Sequence, residues 1–210
     1  MEKTKNPYYK FADYVLMAMI ASMGIAVKVI IVPLAHILTG PLFIPGGVVA
    51  GGFYMAFLVL GEAITQKHGT ATIIALIQAV AVLITGTLGS HGAASLFTYT
   101  LPGIAIDLLY LLMRNKSSSL LFCFLGGVAA NITGSLAVNL AIFNLSLIPL
   151  MLSLFAAALS GGIGGIIAYK IASNLRRLGI LGRSHESADS AVSTKQEIIN
   201  ETIGDRNEKK

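Results

Sequence analysis

From Phe11 to Ile171 the chain is a succession of apolar stretches, broken only by short clusters of Gly, Pro or charge. A run of about 20 apolar residues crosses the roughly 30 Å hydrocarbon core of a bilayer as a helix. Lipid also forces each segment to satisfy its own backbone polar groups, which leaves helices as the reading for runs of this length. The chain therefore reads as an all-α membrane protein. Hydrophobic residues make up 55% of it and charged residues only 12%, which excludes an ordinary soluble domain. Six transmembrane helices are predicted, at about 11–35, 45–61, 70–86, 94–113, 119–142 and 147–172. The second and third are the shortest and are open to tilting or partial re-entry. Residues 1–183 make the six-helix domain, and 184–210, opening SHESADSAVSTK, lose apolar content and read as a polar, disordered cytoplasmic tail.

Charge sets the orientation. Lys3, Lys5 and Lys10 precede helix 1, Lys67 follows helix 2, Arg114 and Lys116 follow helix 4, and Lys170, Arg176, Arg177 and Arg183 lie at or beyond the end of helix 6. The alternate links HILTGPLFIP, GTLGSHGAAS and NLSL carry no Lys or Arg. By the positive-inside rule both termini are expected in the cytoplasm. The net charge of +5 is thus a topological signal and not a nucleic-acid footprint. The first apolar run continues to Leu34 without a small-residue cleavage site, so it reads as a retained helix and not a signal peptide. The single cysteine, Cys123, lies in an apolar stretch, where it reads as a small core residue.

Lys28 breaks this order. It follows Lys10 by 18 residues, roughly 27 Å along a helix, which places it in the outer third of the membrane. A charge there costs a few kcal/mol and faces a partner, a cavity or water. Three readings stand open: Lys28 snorkels to the outer headgroups, it lines an outward pocket for an anionic or carbonyl-bearing ligand, or it forms a structural ion pair. Asp107 is a poor counter-ion, because it lies only seven residues before Arg114 and so near the other side; helix 5, water or cytoplasmic machinery are its expected contacts. Glu62, at the end of helix 2, is expected to be solvated.

Other polar groups gather at the depth of Lys28. Asn131 and Asn139 share a face of helix 5, and each amide needs a partner, either another helix or a ligand. The glycine-rich stretch TGTLGSHGAASLFTY adds Ser90, His91 and Tyr99. His36 and His91 alone make a weak metal site, and Ser90 beside His91 lacks the acid and the geometry of a catalytic triad, so no enzyme is expected. Small residues form two stripes, Ala18, Ser22 and Ala26 on helix 1 and Gly161 and Gly165 on helix 6, both spaced for close helix contact.

Six short helices, cytoplasmic termini, the helix 1 stripe and the outer polar cluster resemble the substrate-binding S component of an energy-coupling-factor (ECF) transporter. The resemblance is closest to the YkoE-like branch, associated with thiamine or its pyrimidine precursor, and runs from GPLFIPGGVVAGG to LLYLLMRNK, residues 40–116. It implies capture of a vitamin-like solute outside the cell (plasma) membrane of a prokaryote. Release inward is then driven by a transmembrane coupling subunit and two ATPase subunits, with the S component toppling in the bilayer. It further implies that Ala18, Ser22 and Ala26 meet the coupling subunit. The chain has no GxxxxGK[ST] loop, so ATP hydrolysis falls to these partners and the chain needs no cofactor of its own. Helix 3, TIIALIQAVAVLITG, offers Gln78 and no acid, which suits a neutral or anionic solute better than thiamine itself. The expected pocket is Lys28, Ser90, His91, Tyr99, Asn131 and Asn139; the alternative function is a stand-alone secondary transporter or channel.

Overall fold

The computed structural model describes residues 9–42, 45–85, 94–113 and 117–178. All regular elements among them are helical: α1 (Phe11–Thr39) with a 3-10 turn (Gly40–Leu42), α2 (Gly46–Thr65), α3 (Thr70–Thr85), α4 (Ser95–Leu112), α5 (Leu120–Val138) ending in a π-turn (Asn139–Phe143), and α6 (Leu147–Arg177). Five of the six helices are long and apolar enough to cross a membrane, and α3, with 16 residues, is the shorter one at about 24 Å. Large apolar side chains such as Ile84 and Ile148 are about four-fifths exposed, as suits a surface solvated by lipid. Backbone contacts divide the chain into Met1–Ser173, which holds everything described below, and Asn174–Lys210, which contributes the last turn of α6. The expected tail, 184–210, lies outside the described residues.

Several boundaries differ from expectation. The first helix continues through Pro33 to Thr39, α2 continues to Thr65, and α6 runs to Arg177. At the far end of α5 the ladder widens into the π-turn, closed by Asn144 in the left-handed conformation that Asn tolerates.

In the centre stands α2, the most buried of the spanning helices, packed against α1, α3 and α5. Its contact with α6 is backbone to backbone: a Cβ at Gly164 would strike the Gly52 carbonyl. The α5–α6 crossing is of the same kind, with Gly127 and Gly161 each facing the other's carbonyl. The helix 6 stripe is thus consumed in internal packing. Gly164→Val is expected to cost about 1–3 kcal/mol through overpacking, read as a lower Tm in detergent.

Asn131 locks the same trio. Its Nδ2 donates to the Val48 carbonyl on α2 (3.0 Å) and to the Ala157 carbonyl on α6 (2.9 Å). Such groups have no water to turn to inside a bilayer, so both bonds are held firmly.

The end of the bundle where α1 begins is where the acids among the described residues sit. Asp13 is 3% exposed and pairs with Lys67 at 2.6 Å. Glu62, expected in solvent, is instead wholly buried, because α3 folds its first turn over it and the Ala71 N–H donates to Oε2 at 3.3 Å. Asp107 turns neither to α5 nor to Lys28. Its carboxylate accepts from the N–H groups of Gly69 (3.2 Å) and Thr72 (2.9 Å) and from the Thr72 hydroxyl. A buried helix start leaves orphan donors that need acceptors, and a negative charge there complements the helix dipole. For α3 those acceptors come from two other helices.

Candidate substrate cavity

Four helices enclose a cavity of about 240 Å³ at the opposite end from Asp13 and Glu62. From α1 come Lys28, Val32 and His36, which a spacing of four places on one helix face. The segment Pro45–Val48 and Tyr54 come from α2, Gly134, Ser135, Val138 and Asn139 from α5 and its π-turn, and Leu150 and Ser153 from α6. Beside it a smaller space of about 40 Å³, also bordered by Lys28 and Tyr54, reaches Gln78, Thr98 and Tyr99.

The partly buried Lys28 does not point to the lipid surface. Its ammonium donates to the Tyr99 hydroxyl and lies 3.7 Å from the centre of the Tyr99 ring and 4.9 Å from that of Tyr54. Each ring face offers a desolvated cation roughly 0.5–2 kcal/mol, which offsets part of the cost of holding a charge at this depth. The rest of the wall is fixed by hydrogen bonds. Tyr54 donates to the Gly47 carbonyl (3.0 Å), and the Gly46 N–H donates to His36 Nδ1 (3.2 Å), tying the start of α2 to α1. The Asn139 Oδ1 accepts from the Leu145 N–H at 2.9 Å, which closes the turn between α5 and α6 that lines part of the cavity. Ser153 is 2% exposed, and its hydroxyl has no partner.

The profile of the family described as "ABC-type cobalt transport system, permease component" matches residues 12–133, more than half of the sequence. The chain belongs to that family. A solved structure described as "Crystal structure of an S-component of ECF transporter" shares the fold of this chain, with a TM-score of 0.66 over 89% of this chain and 98% of that one, at 18% identity. No curated protein matches the chain. Its several long apolar helices and its family make it a multi-pass membrane protein.

The residues singled out from sequence separate into four groups. Lys28, Tyr99 and Asn139 come together at the main cavity and its side space. Asn131 does not join them: it is 1% exposed, and its amide N–H groups are held by Val48 and Ala157 at the α2–α5–α6 junction. Ser90 and His91 lie outside the described residues. On α1 the stripe Ala18, Ser22 and Ala26 is exposed along its whole length, flanked by Met19 and Met23, both more than half exposed. Tyr54, Ser135 and Ser153 line the cavity without having been singled out. Tyr54 and Ser153 carried a faint signal, each a polar group inside an otherwise apolar helix.

Proposed function

We propose that the chain is the substrate-capture subunit of an ECF-type importer. The observation that carries this reading is a cavity built around a cation, Lys28, between helices of a fold shared with an S component. In this reading six spans with cytoplasmic termini sit in a prokaryotic plasma membrane and the cavity opens outward. A vitamin-like solute binds there, and a coupling subunit with two ATPases docks on the exposed face of Ala18, Ser22 and Ala26. The family's description names cobalt as cargo. An organic solute fits this chain better, because the Lys28 ammonium lining the cavity repels a divalent cation. Among the described residues, moreover, no three His, Cys, Asp or Glu side chains gather as a metal site.

Co-expression with a coupling subunit and its two ATPases tests the reading. A complex that co-purifies and takes up solute into liposomes only when ATP is supplied is the expected result. Uptake by the isolated chain in ATP-free liposomes would instead make it a stand-alone transporter.

A further inference from the structure

Every acid among the described residues lies away from the cavity. Between Asp13 and the tail the sequence holds just two, Glu62 and Asp107, and both are committed to the first turn of α3. Asp13 is 15 residues before Lys28, about 22 Å along α1, and is paired with Lys67. The segment 86–93, GTLGSHGA, contains no acid by sequence, so no arrangement of it supplies a carboxylate to the cavity. Lys28, which lines the cavity, therefore has a hydroxyl and two aromatic rings for company and no counter-charge among the described residues. An ammonium has three donors, of which Tyr99 takes one. Independently, Ser153, one of the residues lining the same space, has a buried hydroxyl with no partner of its own. A buried polar atom without a partner costs about as much as a lost hydrogen bond, so it marks a place where a ligand atom belongs.

From these two features, and resting on the capture reading above, we infer that the cavity selects a compact organic anion. A carboxylate or similar oxyanion accepts from Lys28 Nζ on α1, a second polar atom of the ligand meets Ser153 Oγ on α6, and the ligand body lies against Val32, Tyr54 and Leu150. A cavity of about 240 Å³ is smaller than the roughly 300–1,000 Å³ of sites for drug-sized molecules, which fits a body of one or two rings. A ligand carrying a net positive charge is disfavoured, since it would share a poorly hydrated space with Lys28.

Isothermal titration of the purified full chain with three size-matched probes reads the charge preference directly: pyridine-3-carboxylate, pyridine-3-carboxamide and 1-methylpyridinium-3-carboxamide. The carboxylate is expected to bind about 10- to 100-fold more tightly than the amide, with the cation weakest. Lys28→Met keeps the length of the stem and is expected to reduce the carboxylate to the affinity of the amide. Ser153→Ala is expected to weaken both by several-fold while keeping their order. Tighter binding of the amide or the cation overturns the inference, as does an unchanged carboxylate affinity in Lys28→Met. So does a series that fails to bind, or a cationic or neutral compound found by mass spectrometry to co-purify in its place. Assembly with the ATPases is read separately. A chain that binds the carboxylate but never assembles removes the importer reading and keeps the ligand class, and one that assembles but prefers the cation does the reverse.

Discussion

Replacing Asp107 with alanine is expected to destabilise the protein by about 2–4 kcal/mol, because it leaves the Gly69 and Thr72 N–H groups and the Thr72 hydroxyl without their acceptor at a buried helix start. The loss reaches further than one cap. The adjacent Glu62 shares the first turn of α3, so removing Asp107 leaves a single carboxyl to serve it. Thermal unfolding in detergent, monitored by helical circular dichroism, measures the effect. Asp107→Asn keeps one carbonyl acceptor and is expected to fall between wild type and Asp107→Ala. Equal stability of all three would show that water, and not Asp107, satisfies the start of α3. Ligand affinity should change little in whatever fraction folds, because the cavity lies at the other end of the bundle.

The second large effect is expected at Ser22. It is exposed on α1, its hydroxyl bonds back to the Ala18 carbonyl at 2.8 Å, and nothing packs over it. Ser22→Phe should therefore fold and bind ligand as wild type does, since the added ring projects into lipid. Close approach of a second helix depends on small residues, and a benzyl group in the middle of the stripe holds that helix away. ATP-driven uptake by the assembled complex is expected to fall by ten-fold or more, with the titration of ligand to the isolated subunit unchanged. Loss of both together would mean that the stripe supports the interior; retention of both would place the docking face elsewhere on the molecule.

Much of the architecture was readable because lipid removes alternatives. Apolar runs long enough to cross can only be helices, so the positions of all six follow from counting, including the short α3. Their ends were less readable. Composition stops at Glu62 and treats it as a water-facing boundary, but α3 folds back and supplies an N–H donor, and a carboxyl with a donor can be buried. Asp107 illustrates the same limit: its depth ruled out Lys28, yet its actual partners belong to a helix start 35 residues earlier, and no local pattern encodes that pairing.

The cavity was legible in part, and the reason is again physical. Lys28 was conspicuous because a charge in an apolar run has to be explained. Asn139 and Tyr99 followed from depth. Depth alone cannot say which way a side chain points, and Asn131 has the right depth but faces the junction of three helices, where α2 and α6 offer carbonyls. The two small-residue stripes show how much context matters. On α6 the small residues are consumed by backbone contacts with α2 and α5, while on α1 the equivalent spacing remains uncovered. Spacing states that a close contact is feasible; only the fold tells whether the chain itself already makes it.

One helix carries both the ammonium and the bare stripe. Ala26 and Lys28 are two positions apart, so they project from nearly opposite sides of α1, and about 10 Å of helix separates the lining of the cavity from the exposed stripe. Inheritance can act on these two sides independently. Descendants of such a chain can exchange residues on the inner side and reshape the cavity while the outer side stays as it was.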